Sequence, residues 1–290
     1  MSPGVGFALA SLIFAGVNDF IFKKQSSDGS GRGAYLAVVG AVWFTVFALA
    51  ALASGAPAAE APAPPGSTTL AWGLTAGLLS ASANYLLIGS LRTVGAAVGA
   101  TIYRMNMVAA AAVGVVFLGE PLGAAKLTGF ALASAALLLF AAGSGSSRGC
   151  VVESGLILAF AASLLRAAMG ISYKLAAEAG VHGAWFLAIQ GLVWLVAGSA
   201  GAVFRGGGSR LSAALIRRGV ISGLLVCGIV YFFRRALELG EASVVIPIAQ
   251  MSFVITALLS RFALGERLDR HKIAALCLSA VAFALLGGAS

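Results

Sequence analysis

Leu118-Gly119-Glu120 returns as Leu264-Gly265-Glu266, 146 residues further along a chain of 290. The halves keep matching at that offset: Tyr85 with Tyr231, Ala96 with Ala242, Ile102 with Ile248, Met105 with Met251 and Lys126 with Lys272. An Ala/Leu/Val-rich chain matches itself cheaply, but Tyr, Met, Gly-Glu and Lys in register without a gap are harder to obtain by chance. A duplicated half-chain constrains architecture before any local signal does, because each copy repeats one supersecondary unit.

Only 10% of the residues are charged and 60% are hydrophobic, with mean hydropathy +1.00. Soluble domains carry roughly 25% charged residues, so this composition cannot cover a water-facing surface and predicts an integral membrane protein. A spanning helix takes about 20 mostly apolar residues, at about 1.5 Å rise each, to cross about 30 Å of hydrocarbon. Long all-round apolar runs favour helices over the alternating strands of a barrel. Ten such runs are readable, about 4–22, 34–54, 70–91, 94–118 and 125–143, then 154–176, 183–204, 217–237, 241–263 and 272–288. The expected fold class is all-α integral membrane, with ten transmembrane helices as two inverted five-helix repeats. The repeats are 1–143 and 153–290, joined by a linker at 144–152. The Pro/Ala-rich stretch 55–66 is the one long loop.

The inversion follows from parity. Five spans is an odd number, so the second repeat enters the membrane in the opposite sense to the first, as in many secondary transporters. It requires that 217–237, with Arg234 and Arg235 near its end, crosses in full. Of the 19 Lys and Arg, Lys126, Lys174, Arg234 and Arg235 fall on the N-terminal side and Arg104 and Arg166 inside spans, leaving 13 opposite. The excess of cations on cytoplasmic loops then puts both termini outside. This placement also explains the net charge of +9 as a membrane-surface feature, without a nucleic-acid partner. Cys150, Cys227 and Cys277 form no CxxC. The first apolar run reads as a span and not as a cleavable leader, since no Lys or Arg precedes it and Asn18 and Asp19 interrupt it.

At the ends of the fourth and ninth spans the chain reads FLGEPLGAAKLTG and FALGERLDRHKIA. Small residues lead into Tyr103-Arg104-Met105 and into Pro247-Ile248-Ala249-Gln250-Met251. In these motifs, and in its five-plus-five spans, the chain resembles the EamA-type branch of the drug/metabolite transporter superfamily over nearly its whole length. Members of that branch usually begin with a Trp-Gly pair in the first span, where this chain has Phe14-Ala15-Gly16-Val17-Asn18-Asp19. The resemblance implies the ten-span architecture, secondary active transport, and cytoplasmic termini, the reverse of the charge count. It does not imply a substrate, because the superfamily spans amino acids, sugars, nucleotide sugars, drugs and other metabolites.

Ionisable groups at membrane depth cost about 2.5–3.5 kcal/mol each on insertion, so each is a candidate for function. Asp19, beside Asn18, is a proton-coupling or cation-binding carboxylate, or pairs with Lys23 at i+4. Arg104 lies near the middle of span four with Tyr103 and Asn106, and Gln250 holds its place in the second repeat. Polar stretches at matching points of both halves point to a midplane site. Pro247 removes an N–H and frees a carbonyl, so it is the expected hinge or helix break. The competing role for Arg104 is to pair with Asp19 and hold two helices together. Arg166, deep in span six, gives two cations against one carboxylate, which favours a substrate bearing a carboxylate or phosphate. Asn84 and Tyr85, with Tyr231 in the second repeat, are either ligand contacts or members of an interfacial belt. The belt is the expectation for Trp43, Trp72, Trp185 and Trp194, and Gln190 is expected to join helices. Glu120 and Glu266, at span ends, are expected to favour the N-terminus of the following helix. Gly73/Gly77, Gly95/Gly99 and Gly219/Gly223 permit close helix approach, within the chain or in a dimer.

The function expected is secondary active transport of a small polar metabolite, such as an amino acid, sugar or related organic solute, by alternating access through a central cavity. Proton or counter-solute coupling belongs to that reading. The partners are the lipid bilayer and a small-molecule substrate, the chain being a monomer or homodimer, and the location a multi-pass position in a bacterial inner membrane. A non-transporting carrier or assembly factor on the same fold is the alternative. A membrane-embedded enzyme is a weaker one, since His182 and His271 lie near loops without an HExxH, and no Walker motif, metal or cofactor is expected.

Overall fold

A computed structural model describes residues 2–27, 31–54, 65–90, 101–142, 153–204, 212–265 and 269–288. The linker 144–152, most of the stretch 55–66, Cys150, Glu266 and Gly95/Gly99 lie outside these, as does the side chain of Lys23. The described residues are helical, with short turns and no strand. The first repeat contains α1 (Pro3–Ser27), α2 (Arg32–Ala53), α3 (Ser67–Ser90), α4 (Asn106–Phe117) and α5 (Ala124–Ala142). The second contains α6 (Glu153–Glu178), α7 (Gly183–Phe204), α8 (Ala213–Leu239), α9 (Ala242–Gln250), α10 (Phe253–Leu264) and α11 (Arg270–Gly288). Among the described residues nine stretches are long and apolar enough to cross a bilayer, counting α9 with α10, and Thr101–Phe117 is a shorter apolar tenth. The doubtful span 217–237 is the longest helix described, α8 at 27 residues.

Helix pairing crosses between the repeats. α1 packs along α8, α2 along α7, α3 along α6 and α5 along α11, while α4 meets α9 and α6. α3 also meets α7, α2 meets α8, and α1 meets both α9 and α10. Replacing each helix by its counterpart 146 residues away exchanges α1–α8 with α3–α6, α3–α7 with α2–α8 and α4–α6 with α1–α10, and leaves α2–α7 and α5–α11 as they are. One core therefore serves both halves, from Val5 and Leu12 in α1 through Phe186 and Leu187 in α7 to Ile246 and Ile248 in α9.

Glycine makes the tightest of these contacts possible. A methyl group at Gly40, Gly191 or Gly198 would lie 2.8 Å from Cα of Leu195, Phe44 or Ala37, so α2 and α7 touch backbone to backbone. Gly73 and Gly77 of α3 receive Ile189 and Val193 of α7, and Gly219 and Gly223 of α8 receive Val38 and Val42 of α2. Both described GxxxG pairs thus serve contacts inside the chain. Trp43 and Trp194 join this core and form no interfacial belt: their rings lie 5.8 Å apart, Trp43 is buried, and Trp194 Nε1 donates to Ser80 at 2.7 Å.

Two expected spans are not continuous helices. In the ninth, α9 stops at Gln250 and α10 begins at Phe253. Val254 N–H donates to the Met251 carbonyl at 3.0 Å, a bond to the third residue back, so the Gln250 carbonyl loses its ordinary helical donor. The fourth breaks at the counterpart place, where Val108 N–H donates to the Met105 carbonyl at 2.9 Å and is withdrawn from the carbonyl of Arg104. Pro247 sits inside α9, one turn before the break. The helix break expected at Pro247 falls instead at Met251-Ser252, and the fourth span makes the same break with Thr101 in the proline's place.

Candidate functional site

The two breaks meet. Arg104, at the end of the helical residues Thr101–Arg104 that precede the turn at Met105, sends one guanidinium nitrogen to the Gln250 carbonyl and to Ser252 Oγ, each at 2.8 Å. Its other terminal nitrogen donates to Asp19 Oδ2 of α1 at 2.7 Å, and Ser252 Oγ donates to the same carboxylate oxygen at 2.9 Å. Arg104 and Gln250 hold the same position in the two repeats, so this bond lies where the halves exchange places. Here the broken ladder has a direct consequence. A helical Gln250 carbonyl would be occupied by its own helix, whereas the break turns it toward the cation. Asp19 thus joins a cross-chain cluster, and the pairing of Asp19 with Arg104 is the arrangement present.

Around this cluster the other candidates separate. Asn106, at the start of α4, is fully buried; its amide nitrogen donates to the Tyr103 carbonyl at 2.7 Å and its Oδ1 has no partner among the described residues. Tyr103 is half-buried and enters through that carbonyl alone among the polar contacts described. Arg166 in α6 places one terminal nitrogen 3.4 Å from Met169 Sδ and buries Nε without an acceptor. Among the described residues it meets no carboxylate. Asn18, next to Asp19, turns to α8 and accepts from Ser222 Oγ. Tyr231 points out of the bundle, 46% exposed, against Phe232.

Asn84 and Tyr85 line a separate cleft with Leu36, Ile88, Trp194 and Gly198, between α2, α3 and α7. Tyr85 donates to the Ala197 carbonyl there, and Asn84 donates to Ser80 of its own helix at 2.8 Å. The cluster at the breaks therefore gathers Asp19, Arg104 and Gln250 from the expected residues and adds Ser252, which the sequence reading missed. Ser252 is the counterpart of Asn106, and that polar match was the available signal. Gln190 joins α7 to α6 as expected, accepting from Tyr173 Oη at 2.7 Å.

Glu120 departs from expectation. Its carboxylate accepts from the N–H groups of Ala242 at 2.6 Å and Ser243 at 2.8 Å, so it caps α9 in the other repeat and not the helix that follows it. The left-handed Gly119, at φ 67°, turns the chain so that Glu120 can reach back under Gly114. The neighbouring Lys126–Glu241 ion pair fixes the same junction. The helix that bears Pro247 and ends at Gln250 is anchored at both ends by first-repeat side chains.

Broken helices that place polar groups at the centre of an otherwise apolar bundle define the multi-span transporter class of membrane protein. Residues 153–288 match the EamA-like transporter family, which places the second repeat in that family and in the drug/metabolite transporter superfamily. The resemblance read in the sequence is borne out. A solved crystal structure superposes with a TM-score of 0.79 over 100% of this chain and 99% of the other, at 13% identity. At that identity the likeness concerns the fold. No curated protein matches the chain.

Proposed function

We propose that the chain is a secondary active transporter of a small polar metabolite, working by alternating access through a central cavity between two inverted five-helix repeats, 1–143 and 153–290. The observation that carries this reading is the bond from Arg104 to the carbonyl of its own counterpart, Gln250, at two facing helix breaks. A hinge at the same point of each repeat lets one half rock against the other, exposing the centre to each side in turn. Asp19 closes the cluster and is the carboxylate available for coupling to a proton or counter-solute.

The reading extends to orientation, with both termini outside a bacterial inner membrane. Of the four cations on the N-terminal side, Lys126 pairs with Glu241, Lys174 with Glu178, and Arg234 and Arg235 share Glu238. The excess of Lys and Arg, 13 against these four, on the opposite side supports the assignment. A phosphatase or fluorescent reporter fused to the C-terminus tests this, and a reporter active only in the cytoplasm would reverse the assignment. Transport is tested with purified protein in proteoliposomes loaded with a metabolite panel, with and without a proton gradient. Counterflow of at least one solute is expected, and its loss in Arg104→Ala; a panel without any flux would count against transport.

A further inference from the structure

The repeat predicts two equivalent polar junctions at the centre, yet the described residues fill only one. At the ninth-span break, the Gln250 carbonyl, Ser252 and Asp19 are all taken by Arg104. At the fourth-span break the corresponding groups are the Arg104 carbonyl and Asn106. There the Asn106 Oδ1 is buried without a partner. The helix that sits beside this break is α6, the counterpart of α1, and it packs against α4. Asp19 corresponds at the 146-residue offset to Leu165, next to Arg166. Arg166, one residue on from that position in the helix that packs against α4, carries a guanidinium whose buried Nε lacks an acceptor among the described residues.

Buried groups without partners are costly, by about 1–3 kcal/mol each and more when charged, so they persist where something else completes them. The geometry points to a ligand subsite at the fourth-span break, built from Arg166 and Asn106, for a small organic anion that carries an N–H or O–H donor beside its acid group. The guanidinium takes the carboxylate or phosphate. The amide oxygen accepts only from a donor, which selects hydroxy acids and their like over simple acids. Arg104 is already committed elsewhere: three of its five N–H donors go to Asp19, Ser252 and the Gln250 carbonyl, and Asp19 matches its charge. This inference rests on the transport reading and names the substrate class of its central site.

The test is thermal stabilisation of the purified protein by matched probes: L-lactate, propionate, which lacks the hydroxyl, and 1,2-propanediol, which lacks the acid, with glycerol 3-phosphate against glycerol. The hydroxy anions are expected to stabilise at concentrations about 10- to 100-fold below those their analogues need. Arg166→Gln is expected to abolish the preference for the acid, and Asn106→Leu the preference for the hydroxyl with the acid preference kept. Equal response of wild-type protein and Arg166→Gln to all probes overturns the assignment, as does stabilisation by the diol alone. If Asn106→Leu fails to fold, Asn106→Ala replaces it, and an undiminished preference for the hydroxyl in that variant has the same overturning force. Flux of a neutral or cationic solute unchanged by Arg166→Gln would remove this subsite while transport stands. Arg166-dependent binding of the hydroxy anions without any flux would remove transport while the subsite stands.

Discussion

Arg104 serves acceptors from two places in the chain, so its loss is felt by α1 and by the ninth-span break together. Arg104→Ala leaves a carboxylate, a hydroxyl and a carbonyl short of donors. Breaking a fully buried pair costs about 3–5 kcal/mol. The Asp19 side chain is 36% exposed, and water recovers part of that cost. A loss of about 1–2 kcal/mol is expected, read as a lower Tm, with Asp19→Asn milder because Ser252 can still donate to it. Glu120 offers a sharper case, since both its oxygens accept from the first N–H groups of α9. Glu120→Ala is expected to cost about 1–2 kcal/mol and Glu120→Gln less, because the amide keeps one acceptor. A melt in which Gln and Ala behave alike would show that the charge, and not the cap, matters there.

At the scale of the helix, α2 and α7 meet through glycine, whereas the fourth and ninth spans meet through broken turns. Gly40→Ala or Gly198→Ala must push two backbones apart, because the new methyl would sit 2.8 Å from a Cα of the partner. Each is expected to destabilise by several kcal/mol or to prevent folding, judged by yield and monodispersity in detergent. Pro247→Ala should do much less, since the fourth span breaks without a proline. The expected result is retained transport and a Tm change small beside that of Gly40→Ala. The spans themselves were legible because hydropathy over about 20 residues suffices for them. The breaks were only half legible. Pro247 advertised one, but the turn after it is set by Met251 and Ser252, and nothing apolar or glycine-like marks Met105. Likewise the GxxxG spacing gave the close approach but not its partner, since Ile189 or Val38 looks like any other apolar residue.

For the whole molecule, the repeat offset carried most of the architecture, and the helix pairs it relates are the ones that pack. What it could not show is that these contacts run between the repeats. Residues such as Glu120 and Ala242, 122 apart in sequence, leave no local trace of meeting. Because the pairs α1–α8, α2–α7, α3–α6 and α5–α11 all cross between repeats, each half alone leaves its faces bare. Residues 1–143 and 153–290 produced as separate chains in one cell are expected to assemble and co-purify, while either alone is degraded or aggregates. Stable purification of a single half would contradict the packing described.

The bond between Arg104 and the Gln250 carbonyl has a genetic meaning as well. In a pair of identical half-length chains related by a two-fold axis, an arginine at this position would face a second arginine, and two guanidinium groups at one point repel. The acceptor is a main-chain carbonyl that either copy offers, so what divergence within one gene changes is the side chain, Arg104 in one repeat and a neutral Gln250 in the other. The centre of this bundle thus carries one guanidinium where a symmetric dimer of the first repeat would bring two together.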